Sequence, residues 1–467
     1  MLTLDQINQL NPWWSDARWQ PEDDPHLAAA AGAPFRWDPR PFDAEDVASG
    51  AVFTLRGLRQ SGKTTLTKRL IAGRVAAGQR RRTCFLSLQT VTTSDELREA
   101  VALVLRLWPD DPGRWLFVLD ELTFVADWAR AIVYLREHVT AFRQATVILT
   151  GSSAMDLATS ADTLHGRRGR STRALDRLHM PMTFRDYLGA RDAAPVPGPR
   201  LGIGDLLTAA GRDAVLESTL RTDQLDQHLG EYIRSGGLPA PVTDLLTAGH
   251  LEDGTVMELW RGLSADVRRL GRSDLVLRKL LARAVVALAS TTDATTLTRE
   301  LDVTRPTVAS YLDVLARSFA LIVLRQRDQK RQGGPALRRP PKLYLGDPAL
   351  AAIPAALGGP TPTVAGLVEN AIAIAMLRHV ERHALERFLH PDRLFYWRSA
   401  NGREIDFIVD DGQTVAVESK YSERISGKDY ESMSRAFGRG VMVSRRELDT
   451  SRAILTVPAG VLLALLG

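Results

Sequence analysis

Residues 57–64 read GLRQSGKT, and this stretch decides the fold of the first half of the chain. The apolar run AVFTLR precedes it, and the helical pattern TLTKRLIAG follows it. It fits the pattern G-x-x-x-x-G-K-[ST] between a strand and a helix. The N–H groups of such a turn and of the helix N-terminus bind phosphate oxygens. The stretch therefore predicts a phosphate-binding loop at the end of a buried strand.

Two polar positions and the glycines of this loop have expected roles. Lys63 reaches the β- and γ-phosphates, Thr64 offers a hydroxyl to Mg²⁺, and the glycines allow the close approach of the backbone. ATP and Mg²⁺ are therefore the expected cofactors. The candidate nucleotide-binding residues are Gly57, Gly62, Lys63, Thr64 and Thr65.

A second apolar run, WLFVLDE (115–121), ends in two carboxylates. Ligands of open α/β sheets bind at the carboxyl ends of the strands. We expect Asp120 to hold Mg²⁺ and Glu121 to orient or deprotonate the attacking water. The alternative is an acidic helix N-terminus without a catalytic role.

The alternation of apolar runs and amphipathic helices predicts an α/β domain with a parallel sheet over 46–190. The stretch GARDAAPVPGPRLGIG (189–204) is rich in Pro and Gly and predicts a linker. Residues 1–45 carry Trp13, Trp14, Trp19 and Trp37 and are expected to be an extended arm whose aromatic rings dock on the body. A partner-binding segment is the alternative.

The stretches GLRQSGKT and WLFVLDE, with the sequence around them, resemble the AAA-like ATPases of bacteria and archaea that carry a C-terminal domain of uncharacterised function. The resemblance begins near residue 46 and implies that Ser152, in TGSS (150–153), is a polar sensor of the γ-phosphate. It also implies that Arg167 or Arg170, in GRRGR (166–170), is an arginine finger acting on a neighbouring subunit of a homo-oligomer. The alternative is a solvated arginine-rich loop.

Residues 295–327 follow the pattern of two helices joined by a turn and then a strand, as in a winged helix. Residues 191–330 are expected to form a helical lid followed by this winged-helix stretch. Arg305, Thr307, Ser310 and Arg327 would contact DNA if the second helix enters a groove. Winged helices also serve as lids or protein contacts, and that alternative stays open.

The last part, 331–467, is expected to be an α/β domain. Glu369 lies on a predicted helix, Asp406 on a strand, and Glu418 and Lys420 on the next strand. The set resembles the PD-(D/E)xK core of restriction-endonuclease-like nucleases, in which carboxylates hold Mg²⁺ and a lysine stabilises charge. Ordinary charge alternation on strands is the alternative.

The composition excludes few functions. The chain has 467 residues, enough for about three domains, with 60 basic and 55 acidic residues, a net charge of +5. The single cysteine and the lack of a long apolar run favour a cytoplasmic protein without a membrane span. Three functions stay open: an ATPase acting on or near DNA, an ATP-regulated metal-dependent nuclease, and an ATP-switched regulatory or defence protein with a protein partner.

Overall fold

A computed structural model describes residues 2–109, 113–151, 157, 162–164, 166–191, 198–328, 334–380 and 393–466. The chain divides into two compact units. The first comprises 1–33 and 38–180, and the second comprises 34–37 and 181–467. The predicted sensor Ser152 and residues 329–333 of the basic loop lie outside the described residues.

The first unit alternates helices and strands. Its helices are α1 (Leu4–Leu10), α2 (Pro25–Ala31), α3 (Ala44–Ala48), α4 (Lys63–Ala76), α5 (Ser94–Leu105), α6 (Trp128–His138) and α7 (Thr140–Gln144). Its strands are β1 (Val52–Arg56), β2 (Thr83–Ser87), β3 (Leu116–Asp120), β4 (Thr146–Thr150) and β5 (Asp176–Leu178). Short 3-10 turns lie at Pro12–Trp14, Pro21–Asp23, Arg80–Arg82, Leu122–Phe124 and Asp162–Leu164.

The five strands form one parallel sheet in the order β2-β3-β4-β1-β5. Every residue of β1, β3 and β4 is buried. Because neighbouring residues of a strand point to opposite faces, burial at every position requires cover on both faces of the sheet. The prediction of a parallel α/β domain is confirmed, and the loop of 57–64 joins β1 to α4.

The N-terminal residues are folded into short helices, so the expectation of an extended arm is wrong. The expected docking of the aromatic rings does occur for the first three tryptophans, which are buried. The indole N–H groups of Trp13 and Trp14 donate to the carbonyl of Thr83, over 3.0 and 2.9 Å. The side chain of Asn11 bonds both the N–H and the carbonyl of Phe85. These bonds attach the N-terminal segment to the edge strand β2.

A buried ion pair joins the same segment to helix α4. Nζ of Lys68 lies 3.1 Å from the carboxylate of Asp24, and both side chains are less than a tenth exposed. The ammonium also lies 3.8 Å from the ring centre of Phe85. Asp24 in addition caps α2 through the N–H groups of His26 and Leu27. The pair is desolvated, so each charge depends on the other.

Replacing Lys68 with Met should lower the free energy of unfolding of this unit by about 3–5 kcal/mol, because Asp24 would stay buried without its cation. Urea unfolding followed by tryptophan fluorescence measures the change, since Trp13 lies beside Lys68. The control is Arg40→Met, which breaks the exposed pair with Asp38 and should change stability by less than about 0.5 kcal/mol. Equal losses for the two variants would contradict the prediction.

The second unit is mostly helical up to residue 317. Its helices are α8 (Phe184–Ala190), α9 (Ala209–Thr219), α10 (Thr222–Ser235), α11 (Pro239–Ala248), α12 (Asp253–Arg269), α13 (Asp274–Val286), α14 (Ala294–Leu301), α15 (Arg305–Arg317), α16 (Ala352–Ala356), α17 (Val364–Val380), α18 (Gly427–Phe437) and α19 (Ala459–Leu465). Further 3-10 turns lie at Asp205–Leu207 and Pro348–Ala351.

The strands of the second unit form two sheets. An antiparallel pair consists of β6 (Leu321–Leu324) and β7 (Lys342–Leu345). A mixed sheet has the order β12-β11-β10-β9-β8, from β8 (Leu394–Arg398), β9 (Glu404–Asp411), β10 (Gln413–Ser419), β11 (Gly440–Ser444) and β12 (Ile454–Pro458). The pairs β8–β9 and β9–β10 are antiparallel, and β10–β11 and β11–β12 are parallel. Within the part of the chain that the structure describes, no helix is long and apolar enough to span a membrane.

Candidate functional site

The loop between β1 and α4 has the backbone of a phosphate cradle. Gly62 precedes the first helical residue and has a φ of +94°, and Gly57 has a φ of +156°. A Cβ atom at Gly57 would lie 2.0 Å from the carbonyl oxygen of His179, so only glycine fits there. Both glycines are thus required by the path of the chain itself, besides any role toward a ligand.

The ammonium group of Lys63 lies inside this loop. It donates to the carbonyl oxygens of Gly57, over 3.1 Å, and Leu58, over 2.9 Å, and its side chain is buried. The hydroxyl of Ser61 is also buried and has no hydrogen-bond partner among the described residues. A buried polar group without a partner is costly, and a phosphate oxygen would supply the missing partner.

The two predicted magnesium ligands meet across the sheet edge. The hydroxyl of Thr64, in the first turn of α4, donates to Oδ2 of Asp120 over 3.0 Å. Burial, followed by the charge of Glu121, raises the pKa of Asp120 above its ordinary value. A hydroxyl beside a buried carboxylate is an oxygen-rich pair of the kind that Mg²⁺ prefers, and a cation would relieve the cost of that carboxylate. The residues therefore fit Mg²⁺, which when bound would neutralise phosphate charge.

Glu121 follows the last residue of β3 and has a left-handed backbone, with φ of +57°. A residue with a side chain seldom adopts this conformation unless its surroundings impose it. The backbone turns the chain from β3 into the short helical turn 122–124, and Glu121 is only partly buried. The carboxylate of Glu121, which follows Asp120 in the chain, is therefore partly exposed to solvent.

Two polar side chains at this edge were not predicted. The first is Ser61. The second is Thr150, the last residue of β4, which pairs with Leu55 of β1. Its hydroxyl is buried and, within the described residues, has no hydrogen-bond partner. The only sequence signal was its position as the polar end of an apolar strand.

The predicted arginine finger lies near the amino end of β1, whereas the phosphate loop follows its carboxyl end. The carbonyl of Arg168 accepts a bond from the N–H of Val52, the first residue of β1, over 2.7 Å. Arg167 pairs with Glu137 over 2.5 Å, and Arg170 is exposed. Because β1 has five residues, the loop with these arginines is roughly 13–16 Å from the phosphate loop of the same chain.

The four residues predicted to contact DNA differ in exposure and in their hydrogen-bond or ion-pair partners. Arg305 is exposed at the start of α15 and donates to the hydroxyl of Thr295 over 2.8 Å, and Thr307 bonds the cap residue Thr304. Ser310 accepts a bond from Arg272, and Arg327 forms an ion pair with Asp410 over 3.0 Å. Ser310 and Arg327 are therefore engaged within the unit, whereas Arg305 lies on its surface.

The four predicted nuclease-like residues do come together. Nζ of Lys420 lies 2.8 Å from Glu418, and the N–H of Asp406 donates to the other oxygen of Glu418 over 3.3 Å. Glu369, on α17, joins them through a residue that was not predicted, Lys342 of β7. We call Glu369, Glu404, Asp406, Glu418, Lys342 and Lys420 the carboxylate cluster.

Lys342 is fully buried and contacts three carboxylates. Its Nζ lies 2.7 Å from Asp406, 2.8 Å from Glu404 and 3.4 Å from Glu369. Burial opposes the charge of Lys342, but these carboxylates outweigh it and raise its pKa above the ordinary value. Burial, and then the charge of Asp406, likewise raises the pKa of Glu369 and of Glu418.

The carboxylate cluster does not fit the Mg²⁺ that the nuclease resemblance implies. The ammonium of Lys342 stands where a cation would contact Asp406 and Glu369, and Mg²⁺ needs oxygen ligands at about 2.0–2.1 Å. Among the residues that the structure describes, no group of three or more His, Cys, Asp or Glu side chains is arranged to hold a metal ion.

The parallel sheet, the loop and the paired Thr64 and Asp120 define a P-loop nucleoside-triphosphatase domain. Residues 49–188 match the family model described as "AAA domain", which supports an AAA-like ATPase in this part of the chain. Residues 226–362 and 365–459 match models described as domains of unknown function, DUF8612 and DUF4143. No curated protein matches the sequence.

Several solved structures are similar at low identity. The Walker-type ATPase PABY2304 of Pyrococcus abyssi is 12% identical, with a TM-score of 0.39, over 71% of this chain and 93% of that chain. The Orc1 protein of Aeropyrum pernix, solved in complex with DNA, is 14% identical, with a TM-score of 0.28, over 66% and 86%. Cdc6p of Pyrobaculum aerophilum is 13% identical, with a TM-score of 0.21, over the same shares. Likenesses this distant carry no argument about function.

Two substitutions separate nucleotide binding from hydrolysis. Lys63→Ala should abolish ATP binding, because the loop loses its buried ammonium. Glu121→Gln should bind ATP normally and hydrolyse it about 10²–10⁴-fold more slowly, since an amide cannot accept the proton of water. Titration with a fluorescent ATP analogue and release of phosphate measure the two steps. Glu99→Gln, an exposed carboxylate on α5, is the control and should behave as wild type. Normal turnover by Glu121→Gln would exclude its role.

Proposed function

We propose that this chain binds and hydrolyses ATP at the loop of 57–64 and uses the ATP cycle to act on DNA. One observation supports the ATP site above others. Lys63, Ser61 and the Thr64–Asp120 pair lie together at one edge of the sheet, with a buried hydroxyl that has no described partner. Such a set favours a polyphosphate, because it offers an ammonium, backbone N–H groups and oxygen ligands for a cation.

The residues divide the work of hydrolysis. Lys63 exchanges the carbonyls of its own loop for phosphate oxygens, and Thr64 and Asp120 would hold Mg²⁺. Glu121, which is next to Asp120 and partly open to solvent, orients or deprotonates the attacking water. Ser152 keeps the role of polar sensor as a proposal from the family resemblance.

An arginine finger in this protein acts in trans. Arg167 and Arg170 follow from the family resemblance, and their loop contacts the amino end of β1, whereas the phosphates bind beyond its carboxyl end. A side chain about 7 Å long cannot cover roughly 13–16 Å within one chain. ATP hydrolysis in this proposal therefore requires a homo-oligomer.

A mixing experiment tests the finger. The double variant Arg167→Ala, Arg170→Ala keeps the ATP site, and Lys63→Ala keeps the arginines. Each alone should be inactive, and their mixture should regain phosphate release well above the sum of the two. Arg173→Ala, which removes another arginine after the same loop, is the control and should keep wild-type activity. Full activity of the double arginine variant, or no gain on mixing, would refute a finger in trans.

DNA binding is assigned to the surface around the start of α15. Arg305 is exposed there, and the N-terminal residues of a second helix are those that enter a groove in helix-turn-helix proteins. Thr307 and Ser310 follow on the same helix. Arg327 would join them only by leaving Asp410.

The wild-type ATPase measured with and without duplex DNA tests the whole proposal. Stimulation supports it, and slow hydrolysis unaffected by DNA would favour an ATP-switched regulator of a protein partner.

Arg305→Ala should weaken DNA binding and lower the slope of log affinity against log salt by about one, because one phosphate contact is lost. Fluorescence anisotropy at several salt concentrations measures both quantities. The control is Arg317→Ala at the other end of α15, where the arginine pairs with Asp313. If the two variants bind DNA equally well, α15 does not present its N-terminus to DNA.

A further inference from the structure

The ammonium of Lys342 holds the carboxylate cluster together. Its Nζ lies within 3.4 Å of three carboxylates, on α17 and at two positions of β9, and donates hydrogen bonds to two of them, Glu369 and Asp406. An ammonium has three N–H donors and no acceptor, so it can serve several carboxylates at once. The lysine comes from β7, outside the sheet that carries Glu404 and Asp406. Its charge therefore links three separate elements.

We propose that Lys342 takes the place of a divalent cation in the carboxylate cluster, so that this centre binds no metal in the native protein. The centre is then a fixed ion cluster joining β7 and α17 to β9. This inference does not depend on the ATPase or on DNA binding.

Two of these carboxylates also accept other hydrogen bonds. Oδ1 of Asp406 faces Lys342, and its Oδ2 accepts the N–H of Ser419 over 2.8 Å. The oxygen of Glu369 nearest to Lys342 accepts the hydroxyl of Tyr344 over 2.7 Å. A metal ion would have to displace an ammonium and compete with these donors. Displacing a buried ammonium leaves a charge without a partner, which is strongly unfavourable.

The second lysine of the cluster is in a different position. Lys420 pairs only with Glu418 among these carboxylates and is 41% exposed. It lines an open pocket of about 190 Å³ with Arg403 and Lys428. Removing Lys420 therefore leaves the three carboxylates around Lys342 still in contact with its ammonium, which makes it the matched control.

The experiment measures Mn²⁺ binding by electron paramagnetic resonance, in which bound Mn²⁺ leaves the free-ion signal. All proteins are full-length, free of nucleotide, and carry Asp120→Asn to remove the other candidate ligand. With Lys342 intact, the protein should bind no Mn²⁺ at the cluster. Lys342→Met, of similar length but without charge, should gain a Mn²⁺ site and a Mn²⁺-dependent rise in melting temperature. Adding Asp406→Asn should weaken that site at least about tenfold.

Three results would overturn the inference. The first is Mn²⁺ binding with Lys342 intact that is lost in Asp406→Asn, and this measurement decides the matter even if Lys342→Met fails to fold. The second is a folded Lys342→Met that gains no site. The third is an equal gain in Lys420→Met. The first result would also restore the metal-dependent nuclease as a function of this domain.

Discussion

The parallel pairing of β3, β4 and β1 is the constraint on which the candidate ATP site depends. It brings the carboxyl ends of the three strands to one edge, where Thr64 meets Asp120 although 56 residues separate them in the chain. Parallel strands are covered on both faces, and the complete burial of β1, β3 and β4 places the polar groups of the site at the ends of the strands. The same pairing sends the arginines before β5 to the other edge, and this separation is what makes assembly part of the proposed mechanism.

Lysine is used sparingly, and three of the seven lysines carry buried charges. The chain has seven lysines among 60 basic residues, and Lys63, Lys68 and Lys342 are each buried against oxygen partners. An ammonium is a compact charge with three donors, whereas a guanidinium is a planar fork of five donors that suits bidentate pairs. Lys63 bonds carbonyls of its own loop, whereas Lys68 and Lys342 each join segments that are far apart in the chain by one charge.

Local sequence patterns predicted the elements of the ATP site and the carboxylates of the last domain. Gly57, Lys63 and Asp120 could be predicted because a glycine turn and a polar residue after an apolar strand are local signals. Glu369, Asp406 and Glu418 came from a spacing pattern, and they do meet. Lys342 was not predicted as part of that cluster, because its partners are 27 to 64 residues away in sequence and lie on other elements. The prediction of an extended arm was wrong because Thr3 and Asp24 cap the first turns of short helices in this segment.

The sequence by itself determined the parallel α/β domain, the phosphate loop and the acidic residues available to each site, because these depend on local periodicity and on residue chemistry. Only the tertiary structure decided which charged side chains, distant in the sequence, lie next to one another. It determined that Arg167 and Arg170 lie at the edge away from their own phosphate loop, that Ser310 and Arg327 are engaged within their unit, and that an ammonium stands among the carboxylates where a metal was expected. The physical reason is that a buried charge is stabilised by whichever partner the fold brings within about 3 Å, and sequence spacing does not reveal that partner.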